Sequence, residues 1–165
     1  MPRVTVAAVN GACAGGGILL AAACDLRFAA ETAVFITVFL TAGLPGDYGA
    51  SWSLTRIVSS ARARQLMYLP DRFRASRAHE IGLVSGVFPA ESLASEVDAI
   101  AQRLAAAAPM ALAAMKANLN DADGPPLSVA LDAEAERLVP RLRSEDMREA
   151  ARAFRERRVP VFHGC

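Results

Sequence analysis

The chain has 165 residues, 53% hydrophobic and 21% charged, with eighteen basic side chains against seventeen acidic ones for a net charge of +1. That composition is ample for a packed core and too apolar for a disordered segment, and the charge balance gives no bulk electrostatic case for a nucleic-acid partner. Scarce aromatics and abundant alanine favour close helix packing over a β-sandwich, and the length fits one domain, or one domain with a helical appendage.

Residues 4–9, VTVAAV, are short, β-branched and uncharged, and read as a buried strand. GGGILLAAACD then reads as a glycine turn running into a helix, and LRFAA and AVFITVF as two more short strands. GLPGDYGA is a turn-rich loop, followed by a helical stretch over residues 51–69. DRFRA is expected to form a brief strand or turn, and residues 75–81 a short helix closed by Gly82. LVSGVFP is a further strand.

From Pro89 the pattern turns helical. Leu93, Val97, Ile100 and Leu104 fall on one apolar face, behind a start signal from Pro89 and Glu91. A second helix follows Pro109, with Leu112, Met115 and Leu119 aligned, and NDADGPP ends it. A third begins near Pro126, carries Leu127, Leu131, Leu138 and Leu142, and should kink or break at Pro140. Ser144 is an N-cap candidate for a last helix, with Glu145 and Asp146 at its positive end and Met147, Ala151 and Phe154 on its inner face. The layout is an α/β core over residues 1–107 followed by a helical region over 108–165.

Three cysteines, Cys13, Cys24 and Cys165, have no spacing that suggests a metal site or redox pair, and Cys13 and Cys24 read as small packing residues. An odd count without a secretory layout at the N-terminus fits a reducing, cytoplasmic setting. The apolar run over residues 18–24 is too short to span a bilayer, so no membrane partner is expected. The run RLRSEDMREAARAFRERR is basic but mixed in sign, and His79 and His163 have no neighbour that suggests catalysis.

Glycine is a poor choice in strand and helix alike, so the triplet Gly15 to Gly17 calls for a reason. A phosphate-binding loop needs Lys-Ser/Thr after its second glycine, and Gly16 is followed by Gly17-Ile18; GACAGGG does not supply G-x-G-x-x-G either. What remains is strand, tight turn and helix start, where backbone N–H groups can face a negative oxygen, as in an oxyanion hole. Close strand–helix packing would explain the same glycines.

VAAVNGACAGGGILLAAACDLRFAAETAVF followed by GLPGDYGASWSLTRIV resembles the crotonase superfamily, the enoyl-CoA hydratase/isomerase proteins. The likeness continues through RARQLMYLPDRFRASRAHEIGLVSGVFP, AAAAPMALAAMKANL and LRSEDMREAARAFRERRVPVF, in order along nearly the whole chain. The resemblance implies the C-terminal part of that family's ββα spiral, followed by a helical oligomerisation region. It implies acyl-CoA thioesters as substrates, with an enolate-like oxyanion held by two backbone N–H groups. One of these donors falls on Gly16, flanked by Gly15 and Gly17, and the other on a loop of the family's N-terminal half, which the chain is expected to lack. Coenzyme A then arrives as part of the substrate, and no separate cofactor or metal is implied.

The two glutamates of the hydratase reaction would stand at Leu19 and Phe39, neither of which can carry a proton; both are expected to pack in the pocket or core. Asp47 resembles the aspartate of the family's isomerase branches, where one carboxylate moves a proton along the acyl chain. A solvated carboxylate is a weak base, so that role asks for an apolar wall, which Leu19 and Phe39 would supply. An N-cap role for Asp47, on a helix beginning just after Tyr48, fits equally. Phe154 and Arg157 resemble positions that reach the CoA of a neighbouring subunit, though a core helix face and a solvated charge would explain them too. The expectation is thus an isomerase-like enzyme, a homotrimer or dimer of trimers. The alternatives are an inactive pseudoenzyme or partner subunit completed by a separate N-terminal chain, and an oligomeric scaffold without a ligand.

Overall fold

The computed structural model describes residues 2–165 and resolves them into two compact units, residues 5–100 and residues 101–165 with 2–4. The larger unit holds two three-stranded sheets. In the first, β1 (Val6–Val9), β3 (Leu26–Ala30) and β6 (Gly86–Phe88) lie side by side in that spatial order, all parallel, with Val6 opposite Leu26 and Phe28 opposite Gly86. In the second, β2 (Ala12–Ala14) pairs in parallel with β4 (Val34–Ile36), and β4 pairs antiparallel with β5 (Phe73–Arg74). Parallel neighbours need crossovers. Helix α1 (Gly16–Ala22) carries the chain from β2 towards β3, and α2 (Ala50–Val58), α3 (Ser60–Tyr68) and α4 (Ala75–Glu80) follow β4.

The main core of this unit lies where α1, α2 and α4 cover the second sheet: Ile18, Leu19, Phe35, Leu54, Val58 and Leu83 are all buried there. Phe35 stacks on Phe73 across β4 and β5, ring centroids 5.6 Å apart. A smaller cluster joins Phe28 and Ala30 of the first sheet to Leu93, and Phe28 and Phe88 meet at 5.8 Å. The polar bonds are local and well matched. Asp25 Oδ2 accepts from the Thr5 N–H at 2.6 Å and from its hydroxyl at 2.8 Å, which ties the start of β1 to the start of β3. Arg27 spans from Cys24 to Leu83 by donating to both carbonyls.

One expectation for this unit needs correction and one element had none. The helical stretch over residues 51–69 is two helices rather than one, and ACA, left unassigned, forms a strand of its own, β2. The break falls at Ser59, whose left-handed backbone (φ 77°) ends α2 and starts α3.

Helix α5 (Leu93–Ala105) leads into the smaller unit, which contains α6 (Pro109–Asp121), α7 (Leu127–Leu138) and α8 (Glu145–Glu156). A 3₁₀ turn over Val139–Arg143 contains Pro140 and separates α7 from α8, so the proline breaks the helix as its missing N–H requires. Ser144 caps α8: its hydroxyl accepts from the Met147 N–H at 3.1 Å.

The buried face of α8 overturns the expected one. Asp146, Glu149 and Ala153 point inward, while Ala151 is exposed and Phe154 is 86% exposed. The cause is the segment after the helix. Asp146 accepts the His163 and Gly164 N–H groups at 2.8 and 3.1 Å, and Glu149 takes a two-pronged contact from Arg158 and the Val161 N–H at 3.1 Å. Among the described residues no helix is long and apolar enough to cross a membrane.

Candidate active site

The second sheet sets the glycine turn. Gly15 leaves the end of β2 with φ 48° and ψ −115°, and its N–H donates to the Ile36 carbonyl at 3.0 Å, pinning the turn to the end of β4. A Cβ on Gly15 would stand 2.9 Å from Val38 Cγ2, so this position excludes every other residue both by conformation and by space. Val38 is itself left-handed, with φ 50°, in a region that a β-branched residue rarely enters.

Gly16 opens α1 under no such constraint. A Cβ there would meet Tyr48 Cε2 at 3.7 Å, an ordinary contact. The first amides of a helix have no acceptor within it. Gly15 N–H is taken by Ile36, and Ile18 N–H donates to the Gly15 carbonyl at 3.1 Å. The amides between them, of Gly16 and Gly17, have no acceptor among the described residues.

Residues 43–49 form the facing loop. Gly43, Gly46, Tyr48 and Gly49 all take positive φ, a concentration of left-handed backbone of the kind found where a loop is held for function. Asp47 sits exposed at its tip, with Oδ1 accepting the Tyr48 N–H at 2.7 Å. It is not the N-cap of α2: that place belongs to Gly49, and the Asp47 carbonyl, not its carboxylate, accepts the Ala50 N–H.

Leu19 and Phe39 are 2% and 6% exposed and belong to one buried cluster, so both are packing residues of the core in this unit. The apolar wall expected around Asp47 is absent among the described residues, because the carboxylate stands in solvent while both proposed wall residues face inward. Gly15, Gly16, Leu19, Phe39 and Asp47 thus share the larger unit, while Phe154 and Arg157 belong to the helical one. Arg157 is the left-handed end of α8 and is exposed.

Three features escaped the sequence. Val38 facing Gly15 leaves no signal, because a β-branched residue in an apolar run reads as strand. Thr37 is buried, its hydroxyl donating to the Leu66 carbonyl at 2.6 Å, and it fixes the end of β4 against α3. Tyr48 over Gly16 was legible in principle, as the only aromatic side chain in a loop of glycines. Nearby, burial of the Cys13 thiol pushes its pKa up to about 11, so it stays protonated and takes no nucleophilic part. Among the described residues no group of three or more His, Cys, Asp and Glu is placed to hold a metal ion.

The enoyl-CoA hydratase/isomerase family model matches residues 1–165. The chain belongs to that family. It is 36% identical over 164 residues to the 1,2-epoxyphenylacetyl-CoA isomerase of Escherichia coli, covering 99% of this chain and 63% of that protein. It is 35% identical over 162 residues to the crotonyl-CoA hydratase of Syntrophomonas wolfei, covering 98% of this chain and 62% of that one. Among solved structures, an enoyl-CoA hydratase from Bacillus anthracis superposes with a TM-score of 0.96 at 32% identity, covering 99% of this chain and 64% of that one. One from Polaromonas sp. JS666 gives a TM-score of 0.93 at 40% identity, covering 98% and 63%. The fold is therefore the ββα spiral of the enoyl-CoA hydratase/isomerase proteins followed by their helical region, and the chain spans about three fifths of the length of the curated relatives it matches.

Proposed function

We propose that this enoyl-CoA hydratase/isomerase-family chain acts on acyl-CoA thioesters as an isomerase, with the Gly16 N–H receiving the thioester oxygen and Asp47 moving the proton. The observation that carries the reading is the unaccepted Gly16 amide at the start of α1, beside a loop that presents one exposed carboxylate. Asp47 takes a proton from C2 of a 3-enoyl thioester. The electron pair delocalises onto the thioester oxygen, where the Gly16 dipole meets it, and the double bond shifts as the same proton returns at C4. Nothing is oxidised or reduced and the carboxylate is regenerated. Hydration is disfavoured on this reading, because the positions where the family resemblance puts the two water-activating glutamates are Leu19 and Phe39.

The second oxyanion donor, which the family resemblance assigns to a loop outside these residues, is worth roughly 3 kcal/mol or 10²–10³ in rate. Asp47 is exposed, without the apolar wall expected around it, so the site asks for further cover. The exposure of Asp47 favours a second reading, that of a partner subunit whose chemistry is completed by a separate chain. On either reading the helical unit, with Phe154 and Arg157 exposed, is proposed to mediate homo-oligomer contacts and to reach the CoA of a neighbour.

Isomerisation of 3-enoyl-CoA and dienoyl-CoA by the wild type and by Asp47→Ala tests the proposal. We expect the variant to lose at least about a hundredfold in rate, as loss of a general acid–base does, with thioester affinity kept. Full activity in the variant would remove Asp47 from the mechanism. Tight thioester binding by a wild type without turnover would select the partner-subunit reading.

A further inference from the structure

Just past β4 the backbone closes a three-residue turn: the Phe39 N–H donates to the Thr37 carbonyl at 2.7 Å, with Val38 between them at φ 50°. A turn of this size with positive φ at its centre is the rare, strained form, and a β-branched residue is among the poorest choices for it. Glycine would form it without that cost. The turn is nevertheless held on both sides. The Thr37 hydroxyl donates to the Leu66 carbonyl at 2.6 Å, and the Val38 carbonyl accepts the Thr41 hydroxyl at 2.8 Å and the Ala42 N–H at 3.1 Å. The Val38 side chain is only half-buried, and it packs on the glycine turn. Its Cγ2 stands 2.9 Å from where a Cβ on Gly15 would be, so the methyl group already fills the space beside that glycine. Gly15 is thus gripped twice from the end of β4, by the Ile36 carbonyl on its N–H and by Val38 on its open face.

We propose that Val38 is a positioning residue, whose strained turn wedges Gly15 into its left-handed conformation and so fixes the direction of the Gly16 amide. A strained residue persists only where its surroundings over-determine it, and such residues collect at working sites. An amide that meets a developing charge is worth most when its direction is set before the ligand arrives. The use of that amide for a thioester oxygen rests on the reading given above; the wedge itself does not.

The experiment compares wild type, Val38→Gly and Val38→Ile by urea unfolding, by hydrogen exchange at the Gly15 amide, by the Gly16 amide resonance and by titration with butyryl-CoA. Glycine accepts positive φ, so relief of strain offsets the lost methyl groups, and the urea midpoint of Val38→Gly should stay at that of the wild type or above. We expect the Gly15 amide of Val38→Gly to exchange about tenfold faster as its grip loosens, and the Gly16 resonance to shift. Butyryl-CoA affinity should fall about tenfold or more with it. Val38→Ile keeps the Cγ2 methyl and should retain wild-type exchange and affinity. Unchanged Gly15 exchange in Val38→Gly overturns the wedge. A loss of affinity that only tracks a lowered urea midpoint overturns it too, in favour of a purely structural role. Faster exchange beside unchanged affinity upholds the wedge and takes the Gly16 amide out of thioester binding. A wild type that binds no butyryl-CoA overturns the thioester reading, and the Gly15 exchange then decides the role of Val38 by itself.

Discussion

Gly15 and Gly16 are adjacent and identical, yet they answer to different constraints. Gly15 is fixed by its fold: a positive φ and a Cβ position 2.9 Å from Val38 Cγ2 leave no room for another residue. Gly15→Ala should destabilise the protein by about 2–3 kcal/mol, combining left-handed strain with overpacking, as read by urea unfolding. Gly16 is free of both constraints. Gly16→Ala should leave stability unchanged or raise it by about 0.5 kcal/mol, since alanine is the better helix residue. Its methyl group would nevertheless stand beside the amide, 3.7 Å from Tyr48 Cε2, and butyryl-CoA affinity should drop at least about tenfold if that amide is the oxyanion donor. An unchanged affinity in Gly16→Ala would take Gly16 out of the site. The triplet hid this difference from the sequence, because glycines that a fold requires and glycines that a ligand requires are spelled alike. Leu19 and Phe39 show the converse: their side chains alone take them out of acid–base chemistry, and both are buried.

At the level of elements, legibility followed the range of the interactions involved. LRFAA became β3 and the cap at Ser144 formed, because β-propensity and capping are decided by a few neighbouring residues. β2 was missed because Ala, Cys and Ala carry little strand preference, and only pairing with β4 makes them one. The face of α8 was reversed for a long-range reason. Its sequence has an apolar stripe, but backbone N–H groups of the segment from Arg158 to Cys165 are accepted by the Asp146 and Glu149 carboxylates, which turn inward. Hydrogen bonds from Arg158 and from the Val161 N–H hold Glu149 down to about 2 from its ordinary 4.5. The unfolded chain therefore takes up a proton near 4.5 while the folded one resists until about 2. The Glu149 contribution is complete above the upper value and is lost as pH falls through that window. Urea unfolding of wild type and Glu149→Gln, followed across this range, should show two stability curves converging as pH falls. A constant gap down to the lower value would mean that Glu149 does not couple to folding.

On the scale of the molecule, the helical unit leaves many large apolar side chains exposed. Met115, Leu119, Leu127 and Leu131 are all more than half exposed, as is Phe154 on α8. Leu138, Leu142 and Met147 line an open cavity of about 390 Å³ within the unit and are themselves close to half exposed. Single exposed leucines need no explanation, but contiguous apolar faces on a folded protein mark interaction surfaces. The periodicity that identified α6 to α8 in the sequence is thus real as helix and misleading as core. Amphipathic helices in a chain read alone do not reveal whether their apolar side meets the same molecule or another copy. Burying a single leucine or phenylalanine yields about 1.5–3 kcal/mol, so several such residues per copy suffice to hold subunits together at micromolar concentration. Sedimentation equilibrium of the wild type should accordingly find an oligomer of the chain. Leu131→Glu with Phe154→Glu, two substitutions at exposed positions, should shift the population towards monomer while leaving helix content by circular dichroism unchanged. A wild type that stays monomeric up to high micromolar concentration would rule out self-association through these faces. The apolar surface would then face something other than a second copy of these residues.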